Sequence, residues 1–182
     1  MQIIPDTKDW TWVLEEPCGE CGYDAATVTG PEVARMIRAS LPRWVEALGR
    51  PDVTTRPEPS TWSVTEYGCH ARDVFDRFSG RIGRMLTEDD PALENWDQDA
   101  TAVEDRYDLQ EPAVVAPQLV VAGERLADLV DTITDEQWSR PGRRSDGARF
   151  TVESFLVYFA HDLRHHLVDV GASDAGPASS RP

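Results

Sequence analysis

Three short polar stretches, each followed by apolar residues at helical spacing, constrain this chain more than any other feature. Thr29-Gly-Pro-Glu32, Ser63-Val-Thr-Glu66 and Asp108-Leu-Gln-Glu111 read as capping boxes. In such a box the first side chain accepts from a backbone N–H three residues on, and the acid reaches back. Behind the first box, Val33, Ile37, Trp44 and Leu48 recur on one face; behind the second, Val64, Ala71, Phe75, Phe78, Ile82 and Met85 do so; behind the third, Val115, Leu119, Ala122, Leu126, Leu129 and Ile133. A fourth segment, residues 150–170, is capped by Thr151 and apolar nearly all round, as expected of a helix buried on two sides. Trp62 precedes the second box in the position of a hydrophobic staple. Pro31 and Pro112 fall in first turns, where proline is tolerated, whereas Pro42 is expected to kink the first helix. Strand signals are few. The expected fold class is all-α, a four-helix bundle.

The chain's 182 residues suit one domain with a core of its own. The bundle should occupy residues 29–170, behind a short N-terminal cover over 1–28 and before a disordered tail, GASDAGPASSRP, over 171–182. Between the helices lie a proline-rich connector at 50–59, a long acidic connection at 91–107, a short helical turn at Thr134–Trp138 and a basic loop at 140–149. A net charge of −15 argues against phosphate-backbone binding and against attraction to an anionic membrane, so neither nucleic acid nor membrane is an expected partner. No segment reaches a membrane span, and the first residues carry acids where a secretory signal would be basic. The expected compartment is the cytoplasm.

Three of the four histidines fall on the last predicted helix. His161 and His165 are one turn apart on one flank, so both imidazoles could grip a single ion. His70, on the second predicted helix, lies at the edge of its apolar stripe, where a cleft could reach it. Three neutral imidazoles with an open fourth position describe a catalytic rather than a structural zinc site. The expected metal centre is therefore His70, His161 and His165, although an HxxxH pair can also sit hydrogen-bonded at a bundle's rim. His166, turned about 100° from its neighbour, is expected to face Asp162 and not to ligate. Bundles build such sites from facing helices.

Four further residues could line the site. Arg77 and Arg81 share the edge of His70 and could form a positive lining, or could be solvated among nearby acids. Trp96, pinned between Asn95 and Asp97, could cap a pocket or plug the bundle's end. The loop ending at Arg149 could receive a carboxylate near a helix N-terminus, or merely balance acids.

The cysteines, Cys18, Cys21 and Cys69, are an odd count that describes no disulfide framework. Cys18-Gly-Glu-Cys21 is a CxxC, but a zinc ribbon needs a second pair and a redox motif needs a helix straight after. A packed N-terminal cover anchored by Trp10 and Trp12 is the favoured reading, with Trp10–Leu14 as a candidate short strand.

Trp62-Ser-Val-Thr-Glu-Tyr-Gly-Cys-His70, Thr134-Asp-Glu-Gln-Trp138, and Phe150-Thr-Val-Glu153 before His161 and His165, in this order, resemble the DinB-like superfamily of four-helix proteins over about residues 29–170. That superfamily includes bacillithiol transferases and mycothiol-dependent maleylpyruvate isomerases. The resemblance implies a divalent metal, zinc or nickel, on His70, His161 and His165. It also implies a low-molecular-weight thiol of the mycothiol or bacillithiol type, activated on that metal to attack a small-molecule electrophile. Many members continue past the last ligand with Arg-Gly-Gln, where this chain has His166-Leu-Val-Asp169, and the CxxC segment lies outside the shared core. Glu66, Asp162 and Asp169 are candidate partners for the outer imidazole N–H groups, with Glu66 placed best by its i−4 spacing from His70. The function implied is a thiol S-transferase or isomerase. The alternatives are a hydrolase using a water on the metal, a non-catalytic metal-binding or stress-response module, and a structural helical protein such as a homodimer.

Overall fold

A computed structural model describes residues 9–173. Most of the predicted tail, 171–182, lies outside the described residues, as do residues 1–8 of the predicted cover. The helices are α1 (Glu32–Leu48), α2 (Val64–Thr87), α3 (Gln98–Glu104), α4 (Pro112–Asp131) and α5 (Val152–Asp169). The four long ones form the expected bundle: α4 packs on α1 and α2, and α5 packs on the same two helices.

The core follows the predicted stripes. Ile37, Trp44, Phe75, Ile82, Met85, Leu119, Leu126, Phe155 and Phe159 are fully buried, each contributing roughly 1.5–3 kcal/mol of burial. Gly123 permits the close approach of α4 to α1, since a Cβ there would stand 2.5 Å from a Leu41 methyl. At the rim Arg38 of α1 ties three acids of α4, Glu124, Asp128 and Asp131, at 3.2, 2.7 and 2.7 Å.

The helix starts match the sequence unevenly. Ser63 and Glu66 form a complete capping box on α2, and Thr151 forms one on α5 with Ser154. On α1 only half forms: the Thr29 N–H donates to Glu32 Oε2 at 3.0 Å, while the cap position itself falls to Pro31. The third predicted box is absent. Asp108 lies in a 3-10 turn, Tyr107–Leu109, and bonds Arg106, so α4 starts at Pro112 without a side-chain cap. Pro42 sits inside α1 without ending it.

Two connections hold structure that the helical pattern did not announce. The basic loop is a hairpin, β2 (Pro141–Arg144) with β3 (Arg149–Thr151), joined by β1 (Ala92–Leu93) parallel to β2. Its turn is Asp146-Gly147, with Gly147 at φ +96°, and Asp-Gly is a recognised hairpin signal. The acidic connection supplies β1 and α3. At the N-terminus, Trp10–Leu14 is a 3-10 helix and not a strand. Gly171, at φ +61°, closes α5 in the left-handed conformation, with the Ala172 N–H on the Leu167 carbonyl at 2.7 Å, so ordered chain extends past the predicted tail boundary.

Candidate metal centre

The structure distributes the predicted ligands over two clusters on two faces of α5. Among the described residues, His70, Asp162 and His166 offer donor atoms all within 4.8 Å of one another; so, separately, do Cys18, Cys21, His161 and His165. The trio of His70, His161 and His165 is not itself such a group. Consecutive helical residues point about 100° apart, so the i, i+4 pair 161/165 and the pair 162/166 diverge. The second pair faces α2, where the His166 and His70 rings stand 4.8 Å apart and perpendicular, at 87°.

His70 is 1% exposed, and neither ring nitrogen has a hydrogen-bond partner. A buried polar atom without a partner is costly, and a neutral imidazole with a free lone pair is what a divalent cation takes up. Burial, and then the neighbouring His166, push the His70 pKa down to about 4, which keeps the ring neutral. His166 is the opposite case. Burial lowers it, but Asp162 and Asp169 outweigh that and hold it at about 10. Its Nε2 lies 3.2 Å from Asp162 Oδ1, as expected from the sequence, and its Nδ1 lies 2.8 Å from Asp169 Oδ2. Asp162 is held well below the usual carboxylate range, because His166 more than offsets burial. Two imidazoles and a carboxylate suit a divalent cation, and the residues present fit such an ion once it displaces the Nε2 proton that His166 holds against Asp162. Asp169 on the outer nitrogen of His166 completes a carboxylate–histidine arrangement that orients a ligand ring.

Glu66 is not the partner of His70. Its carboxylate accepts from the Ser63 N–H at 2.8 Å and from Arg56 Nε at 2.9 Å, so it holds the start of α2 instead. Trp96 stacks on His70, centroids 5.4 Å apart and planes within 7°, and the Arg77 guanidinium lies over the same indole, 4.5 Å from its centroid. The acidic connection thus lays an indole against His70, with a cation over that indole. Trp62 packs on His70 from another side at 5.2 Å. Arg81 donates to the Glu94 carbonyl at 2.7 Å, so it braces that connection. Arg149 is turned to Asp90 at 3.6 Å with its side chain 70% exposed, an ion-pairing role rather than a site-lining one.

The second cluster joins the N-terminal segment to α5. Cys18 Sγ lies 3.8 Å from His165 Nδ1, and the His161 and His165 rings are 5.1 Å apart. Cys18, Cys21 and His161 are buried, and His161 Nε2 has no hydrogen-bond partner. Asp162 and His166 were legible as a DxxxH at the same spacing as HxxxH one residue earlier. CxxC with HxxxH was equally legible as a four-donor set, though only folding brings the two halves together.

A four-helix bundle with histidine and carboxylate donors on facing helices is the class that the geometry defines. The chain belongs to the DinB superfamily, whose family model matches residues 34–169. It is similar to BH0277 of Halalkalibacterium halodurans, whose name assigns it provisionally to the metal-dependent hydrolases, with 26% identity over 125 residues, 68% of this chain and 72% of that one. Among solved structures it is similar to YfiT from Bacillus subtilis, described as a probable metal-dependent hydrolase with an unusual four-helix bundle topology. That match has a TM-score of 0.65 and 21% identity over 93% of this chain and 92% of the other. A mycothiol-dependent maleylpyruvate isomerase matches with a TM-score of 0.61 and 12% identity, over 83% of this chain but only 63% of its own length. At such identities the structural matches establish the fold. Among the described residues, no helix is long and apolar enough to cross a membrane.

Proposed function

We propose that this chain is a divalent-metal-dependent enzyme acting on small molecules, with the metal held by His70, Asp162 and His166. The observation that carries the reading is the buried His70 ring, with two unpartnered nitrogens, opposite a His–Asp pair. A cation bound there would supply a Lewis acid that acidifies a coordinated thiol or water. The chain's own residues do the rest. Asp169 fixes the His166 ring through Nδ1, Trp96 shields His70 from bulk water, and Arg77 presents a positive charge to an anionic group arriving beside the indole.

The preferred chemistry is transfer or isomerisation with a low-molecular-weight thiol as the activated nucleophile. It is supported by the fold shared with the mycothiol-dependent isomerase, and by the Arg77 cation, which suits a carboxylate-bearing thiol or electrophile. The three free cysteines fit a reducing, cytoplasmic setting. Hydrolysis is the second reading, supported by the provisional names of BH0277 and YfiT.

The test loads the protein with nickel or zinc and assays it against maleylpyruvate-type electrophiles with mycothiol or bacillithiol, and against activated esters without thiol. Thiol-dependent turnover lost in His166→Ala supports the first reading. Ester turnover without thiol supports the second. No metal uptake at His70, Asp162 and His166 overturns both.

A further inference from the structure

We infer that Cys18, Cys21, His161 and His165 form a second metal site, a closed Cys2His2 zinc site that fastens the N-terminal segment to α5. All four donors lie within 4.8 Å of one another. Tetrahedral zinc, with bonds of about 2.0–2.3 Å, places neighbouring donors roughly 3.3–3.8 Å apart, and Cys18 Sγ to His165 Nδ1 is already 3.8 Å. Small side-chain adjustments close the rest.

The local backbone delivers the donors. Cys18 and Cys21 flank a tight turn in which the Gly22 N–H donates to the Cys18 carbonyl at 2.7 Å and the Cys18 N–H to the Tyr23 carbonyl at 2.8 Å. Gly22 takes φ +68°, a conformation that favours glycine. Opposite, one turn of α5 stacks His161 under His165.

The imidazoles are also oriented as ligands. His165 turns Nδ1 to the cysteine, and its Nε2 lies 3.4 Å from Glu20 Oε2 and 3.9 Å from Asp169 Oδ1, an arrangement in which carboxylates hold the outer nitrogen. His161, 4% exposed, has Nε2 buried and unpartnered. A Cys18–Cys21 disulfide would leave that nitrogen unsatisfied, whereas a metal satisfies it. Both cysteines are free thiols.

Four protein donors leave no open position, and the rings of Trp10, 5.2 and 5.1 Å from the two histidines, and Tyr23, 5.7 Å from His161, cover them. Such a site is structural rather than catalytic. Residues 10–27 contain only 3-10 turns, and apart from the metal they grip α5 through the Tyr23 hydroxyl on the Val157 carbonyl and Arg164 on the Cys21 carbonyl. Zinc would hold them through two cysteines and α5 through two histidines, releasing two thiol protons as it binds.

The test is cobalt substitution of the full chain, read by absorbance. Cys2His2 coordination predicts a thiolate-to-cobalt charge-transfer band in the near ultraviolet and intense tetrahedral d–d bands, with Cys18 and Cys21 resistant to a thiol reagent until a chelator is added. Elemental analysis of the zinc form should give two equivalents, one at each cluster, of which Cys21→Ser and His161→Ala each lose the one held by the cysteine cluster while His166→Ala keeps it. The wild-type spectrum decides even if a variant fails to fold. It also decides independently of the His70 site, which offers no thiolate and produces no such band. No charge-transfer band in the cobalt-loaded wild type, thiols that react freely in the zinc-loaded wild type, or a Cys18–Cys21 disulfide in freshly purified protein would overturn the site.

Discussion

Two clusters share one helix, and they differ in donor chemistry and in what surrounds them. The pair at 162 and 166 looks toward α2 and gathers two imidazoles and a carboxylate, beneath an indole and an arginine. The pair at 161 and 165 looks toward the N-terminal segment and gathers two thiols, with aromatic rings over it. Three hard or borderline donors leave a cation room for a substrate; four donors with soft sulfur leave none. A single residue of offset on α5, about 100° of rotation, thus separates the two clusters.

The sharpest way to break that contrast is Cys21→Ser. It should lower stability by several kcal/mol, a fraction of the roughly 10–16 kcal/mol of structural zinc sites, and chelator should lower the melting temperature of the wild type but barely that of the variant. An equal chelator effect in both would overturn the fastening role of the cysteine cluster. His166→Ala comes next: it should weaken nickel binding at the first site by more than about 100-fold, above the 10–100-fold that an outer partner costs, while leaving the cobalt–thiolate band untouched. Titration calorimetry and the spectrum check the two halves.

Arg56→Ala probes the anchoring of the other helix. It strands Glu66, whose side chain is 3% exposed, and should cost roughly 3–5 kcal/mol. Burial raises the Glu66 pKa, but Arg56 and the Ser63 N–H outweigh it and the folded value is depressed. The wild-type pair therefore stabilises fully above the unfolded carboxyl pKa and loses that contribution as pH falls through the lower folded one. Acid unfolding followed by circular dichroism should consequently begin at higher pH in the variant. Asp169→Asn should lower metal affinity at the first site by about 10–100-fold, measured by competition with a chromophoric chelator. The smallest effect belongs to Trp96→Ala, which should leave metal content unchanged and mainly raise KM.

Much of this was readable from local signals. The boxes at Ser63 and Thr151 form because side chain and backbone lie within four residues of each other, and the apolar stripes went where a 3.6-residue period sends them. Asp108 does not cap α4 because residues 107–109, with Tyr107 buried, form a separate 3-10 turn and the helix starts only at Pro112, which a four-residue pattern does not register. The hairpin at 141–151 went unread because a loop rich in arginine carries little strand propensity, and its pairing depends on β1, about 50 residues upstream.

The candidate sites divide along the same line. From the chain alone, 100° per residue already places His161 with His165 and Asp162 with His166 on two different flanks of one helix, and the CxxC spacing keeps Cys18 and Cys21 close together. Which flank meets His70 and which meets the cysteines is decided by how α5 rolls between α2 and the N-terminal segment. That roll is set by Phe155, Phe159 and the other buried residues packing against partners far away in sequence, and no periodicity within α5 encodes it.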